Sequence, residues 1–124
     1  RVPLIDATLD LFGARAEGTP DSALIFGSEA KPGKPISDMS MTAVLRRMQR
    51  ADITVHGFRS TFRDWAAEVA NAPREVAEMS LAHKVGSDVE RAYARSDLLD
   101  RRRVLMERWS GFVSGKSASV VKIA

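Results

Sequence analysis

The strongest periodic signal in the chain lies between residues 37 and 50, where Met41, Val44, Leu45 and Met48 fall at i, i+3, i+4 and i+7. Side chains at that spacing share one side of a helix, so a helix is expected from a Ser37 cap to about Arg50. Its polar face would carry Arg46, Arg47 and Arg50. A second run, HGFRSTFRDWAAEVAN, places Phe58, Phe62, Trp65, Ala66 and Val69 on one buried stripe. Near the start, RVPLI reads as a short strand, and Asp6 can cap a helix to about Ala16 that buries Leu9 and Phe12. ALIF is too short for more than a small strand or buried linker, and the Gly and Pro density of GSEAKPGKPISD marks a loop. ADITV is a short connector. Pro73 opens a further short helix, APREVAEMSLAH, expected to bury Val76 and Met79. VGSD is a turn from which Ser87 can cap a helix, DVERAYAR. Ser96 or Asp97 then caps the last helix, whose apolar stripe runs through Leu98, Leu99, Leu105, Met106, Trp109, Phe112 and Val113.

These elements sum to a mainly α chain, a helical bundle with one or two short strands near the start and a tail over residues 114–124. A length of 124 residues suits one compact unit with its own core. The absence of cysteine excludes disulfides, thiolate metal sites and cysteine nucleophiles, and fits a reducing compartment such as the cytosol. No apolar run has the length of a membrane span and the start lacks a signal-peptide pattern, so a soluble protein is expected. The first residue is arginine, and RVPLI resembles the end of a strand, which suggests that the chain starts inside a larger protein. The net charge of +3 is unevenly placed. Residues 1–30 hold two basic and five acidic side chains, a net of −3, which leaves +6 for the rest. That excess could meet a polyanion or could be a solvated, mixed-charge surface.

The acidic residues show no metal-loop pattern, and two histidines 27 positions apart do not resemble a zinc helix. No GxxxxGK[ST] phosphate loop and no GxSxG elbow occurs. What remains is a set of cationic and hydrogen-bonding groups around the single tyrosine. His56 and Arg59, three apart at a helix start, can face the same way where backbone N–H groups also favour an anion. Arginine's planar fork matches two phosphate oxygens, and a phenol with a pKa of about 10 needs a base or a positive field to become a nucleophile. Taken singly, each residue also has a structural reading. His56 and His83 could be caps or surface groups, Tyr93 a half-buried core residue, and Arg59 one half of a surface ion pair, for instance with Asp64. Arg101, Arg102 and Arg103 read first as a solvated face and second as a ridge toward DNA.

The order of the motifs adds a resemblance. HGFR with STFRDWAAE, then LAH, then a tyrosine ten residues after that histidine within VERAYAR, resembles the C-terminal half of the catalytic domain of the tyrosine recombinases, and more narrowly the phage and prophage integrases. The similarity runs from RVPL to WSGF, so that residues 1–113 would be that partial domain. The resemblance implies that Arg59 grips the scissile phosphate, that His56 assists proton transfer, that His83 hydrogen-bonds a phosphate oxygen, and that Tyr93 is the nucleophile. Arg46, Arg47, Lys84, Arg91 and Arg95 become candidates for DNA binding. The implied reaction is site-specific recombination through a 3′-phosphotyrosyl link, with no metal, nucleotide or other cofactor. The implied partners are double-stranded DNA attachment sites, other protomers in a tetrameric synapse and host DNA-bending proteins, in the bacterial cytoplasm and at the nucleoid, with no membrane. The family's further arginine and hairpin lysine normally precede the VPL segment and have no counterpart here, so the chain alone is expected to be nearly inactive. Ala82 stands where many relatives have glycine. The alternative is a non-catalytic helical module that binds DNA or another protein, with Tyr93 structural.

Overall fold

A computed structural model of the chain describes residues 1–18, 20, 23–87 and 96–116, without the side chains of 14–16. The helix expected over DVERAYAR and the tail beyond Lys116 lie outside the described residues. Five helices follow the expected order among those residues: α1 Asp6–Ala16, α2 Ser40–Arg47, α3 Gly57–Glu68, α4 Arg74–Ser80 and α5 Leu99–Val113. The architecture is mainly helical, as the periodicity predicts. None of these helices is long and apolar enough to cross a membrane.

The strand expected at RVPLI does not form; these residues are irregular. Two of their backbone carbonyls, those of Arg1 and Leu4, are instead bonded by arginines of α5. Arg102 donates to the carbonyls of Arg1 and Asp97 at 3.1 and 3.2 Å, and Arg103 to that of Leu4 at 2.8 Å. This corrects the reading of the arginine triplet as a solvated face for Arg102, which is only 6% exposed, while Arg101 and Arg103 are exposed. Arg101 pairs with Glu75 at 3.3 Å. Among the described residues, the extended structure that does appear is an isolated bridge between Gly27 and Pro35, which closes the Gly- and Pro-rich loop.

The chain divides into two units. One comprises Arg1–Ile5 with Ser60–Ala124. Its core joins Phe62, Trp65, Ala66 and Ala70 to Val76 and Ala77 of α4 and Leu105 of α5. Trp109 stands against both Phe62 and Trp65, with ring centroids 5.4 and 5.0 Å apart. Such aromatic contacts add directional attraction to the burial itself. α4 buries Ala77 beside Val76, whereas Met79, the expected partner, is half-buried. Phe58 and Val69, assigned to the α3 stripe, are exposed, as are Phe112 and Val113 of α5.

The other unit, Asp6–Arg59, buries far less. Phe12 meets Phe26 edge to face at 5.8 Å, but Leu9 is exposed. Of the α2 stripe Leu45 alone is buried, while Met41, Val44 and Met48 are exposed. α2 also starts later and ends earlier than the spacing suggests. Ser37 accepts the Met39 N–H at 3.2 Å in a turn before the helix. At the other end Gln49 takes a left-handed conformation, φ 58°, and the N–H groups of Gln49 and Arg50 bond to the carbonyls of Arg46 and Leu45. That pair of bonds is a Schellman ending, which stops the helix before Arg50.

Candidate functional site

Two of the candidate residues stand at the start of α3. The carbonyl and the hydroxyl of Thr54 both accept the Gly57 N–H, each at 3.0 Å, so Thr54 caps a turn that leads into the helix. A side chain at position 57 would be tight, since a Cβ there would come within 3.3 Å of that hydroxyl. His56 lies in this turn, and its carbonyl accepts the Arg59 N–H at 3.0 Å. Both residues are exposed. An imidazole and a guanidinium residue are thereby placed three positions apart at the start of α3, the end of a helix whose dipole favours anions. Reading ADITV as a connector missed Thr54, although a threonine just ahead of a helix is itself a capping signal.

His83, in the other unit, is placed by the end of α4. Ala82 is left-handed, φ 57°, and the N–H groups of Ala82 and His83 bond to the carbonyls of Met79 and Glu78 at 3.1 and 2.9 Å. This second Schellman ending folds His83 back over Glu78. The side chains then meet, with His83 Nδ1 2.6 Å from Glu78 Oε2, while the other carboxylate oxygen accepts Arg63 Nε of α3 at 2.5 Å. An ionised carboxylate only accepts, so Nδ1 carries the hydrogen in this pair. The Glu78 side chain is 16% exposed and that of His83 46%. The hydrogen bond from His83, then that from Arg63, holds the Glu78 carboxyl below its ordinary pKa. Neither Glu78 nor Arg63 was singled out from sequence, because their contact with His83 depends on the turn at Ala82.

The remaining candidates separate. Lys84 is exposed beside His83. Arg46 and Arg47 are exposed in the last turn of α2, where positive charge also suits the helix dipole. Arg50 forms a two-pronged pair with Asp52, both contacts at 2.9 Å. Tyr93, Arg91 and Arg95 lie outside the described residues. The chain that resumes after them is anchored: Arg1 grips the Asp97 carboxylate with two bonds of 3.0 Å, and Arg102 binds the carbonyl of the same residue. An open, mostly apolar groove runs past Asn71, Pro73, Val76, Arg101, Val104 and Arg108 and includes none of the candidates.

The chain is 34% identical to a prophage integrase, IntA, of Escherichia coli K12 over 122 residues, 97% of the chain. It is 28% identical over 93% of its length to an integrase of Shigella phage Sf6. The chain belongs with the integrases. An integrase of enterobacteria phage P4 is 27% identical over 90% of the chain. The stretch spans 29%, 30% and 26% of these three integrases, less than a third of each. No protein-family profile and no solved structure matches it.

Proposed function

We propose that the chain is the C-terminal part of a tyrosine recombinase catalytic domain, and that its parent protein cuts and rejoins DNA at specific sites. The reading is carried by one observation: HGFR, LAH and AYAR occur in the order and spacing of that family, within a chain matched to integrases over 97% of its length. The helix start at His56 and Arg59 and the fixed ring of His83 support it, because each offers donors of the kind a phosphate needs.

In this reaction the Tyr93 hydroxyl oxygen attacks the scissile phosphorus and gives up its proton with the help of His56. The bond from phosphorus to the 5′ oxygen breaks, and that oxygen takes a proton from the lysine that the family carries ahead of the VPL segment and leaves as a hydroxyl. Arg59 and His83 hold the non-bridging oxygens, where negative charge builds up on the way to the pentacoordinate transition state. A 3′-phosphotyrosyl bond replaces the phosphodiester, so its bond energy is kept. The 5′-hydroxyl of a partner strand then attacks the phosphotyrosine, restores a phosphodiester and releases the phenol.

The proposal extends to double-stranded attachment sites, a tetramer of protomers, host DNA-bending proteins and the bacterial cytoplasm as the parent's setting, with Arg46, Arg47, Lys84, Arg91 and Arg95 along the DNA. The chain alone should be nearly inactive, since an arginine that clamps a transferring phosphoryl group is worth about a thousandfold or more in rate. The test is a DNA substrate nicked beside the cleavage site, which lets the cut fragment diffuse away. The parent should accumulate a covalent adduct, and Tyr93→Phe should abolish it. An adduct that survives Tyr93→Phe would refute the nucleophile assignment, and no adduct from the unsubstituted parent would favour a non-catalytic module.

A further inference from the structure

His83 is bound twice to one residue. Its backbone N–H meets the Glu78 carbonyl at 2.9 Å, and its Nδ1 meets the Glu78 carboxylate at 2.6 Å. Glu78 is itself held from the other side by Arg63, and only 16% of its side chain is exposed. A carboxylate fixed in this way determines both the tautomer and the plane of the imidazole it contacts. With the hydrogen on Nδ1 committed to Glu78, an outward contact of the ring must run through Nε2. We propose that Glu78 is a positioning residue for His83, holding the ring by Nδ1–H so that, with a hydrogen on Nε2 as well, Nε2–H donates to a DNA phosphate oxygen. This rests on the recombinase reading given above. Arg63 acts one step further out, keeping the carboxylate in place and supplying positive charge to a group that would otherwise be costly to bury. Ala82 is part of the same device, because its left-handed turn brings residue 83 back over residue 78.

A purely structural role for Glu78 predicts a different pattern of effects, which makes the two separable. The experiment uses the full parent protein, the nicked substrate and single-turnover cleavage. Glu78→Ala should slow cleavage by about tenfold to a hundredfold, the loss seen when the outer partner of a functional histidine is removed. Glu78→Gln, which keeps an oxygen for Nδ1–H, should recover much of that rate. In a His83→Ala background the same substitutions should change the rate by less than about twofold, because residues acting through one another are not additive. Equal losses in both backgrounds would overturn the proposal. A second readout needs no cleavage: nitrogen and proton NMR of the His83 ring should place a hydrogen on Nδ1, with its resonance shifted in Glu78→Ala. A ring protonated at Nε2 alone, or one indifferent to Glu78→Ala, would also overturn it. An unsubstituted parent that forms no adduct would instead sink the recombinase reading, and the ring spectrum would still decide whether Glu78 holds His83.

Discussion

Trp65 and Val44 each lie on the apolar stripe of a helix, yet Trp65 is 6% exposed and Val44 41%. The stripe of α3 meets those of α4 and α5, and three short helical surfaces close over one another. The stripe of α2 keeps Leu45 buried and leaves Met41, Val44 and Met48 in the open, although its spacing is the more regular of the two. Periodicity therefore tells which side of a helix is apolar and nothing about whether another surface covers it. The contrast also assigns stability. Burial at roughly 25 cal/mol per Å2 accrues where side chains leave water, so the Ser60–Ala124 unit should hold most of the folding free energy.

The largest expected effect tests that contrast directly. Trp65→Ala should cost about 3–5 kcal/mol, read from the denaturant midpoint, whereas Val44→Ala should stay within about 0.5 kcal/mol. Similar losses at both positions would break the comparison. Next comes Arg102→Met, which removes the donors to the carbonyls of Arg1 and Asp97 and should lower stability by about 1–3 kcal/mol. A melting curve that does not move would show that the N-terminal residues need no clamp. Smaller and of opposite sign is Ala82→Gly. Alanine at φ 57° carries a left-handed cost that glycine avoids, so this substitution should add about 0.5–1 kcal/mol while leaving His83 on Glu78. The smallest effect is one of pH. Glu78 has a depressed pKa in the folded protein, so its contribution is complete well above the ordinary carboxylate value of 4.5 and is lost as pH falls below that value. Acid titration of stability should show a loss there that Glu78→Gln reduces; an unchanged profile would remove the Glu78 pairs from the stabilising interactions.

The sequence was most legible where local chemistry decided the outcome. α1 begins at Asp6, an acidic residue in the first turn, and α4 follows Pro73, because helix-end charge and a fixed proline φ act over a few residues. It was least legible at the two Schellman endings, since Gln49 and Ala82 occupy positions that glycine usually announces. Missing the turn at Ala82 hid Glu78 and Arg63 as well. Arg102 was misplaced for another reason: three consecutive arginines look solvated, and only the long-range contact with Arg1 draws the middle one inward. The candidate residues themselves came from motif order, not from helical spacing, which by itself leaves Tyr93 a core residue.

The most direct test of the central claim is to digest the trapped adduct of the parent protein with nicked DNA and locate the nucleotide remnant by mass spectrometry. The remnant should sit on the tyrosine of the peptide that carries VERAYAR. A remnant on any other residue, or a DNA complex that dissociates fully on denaturation, would contradict the account.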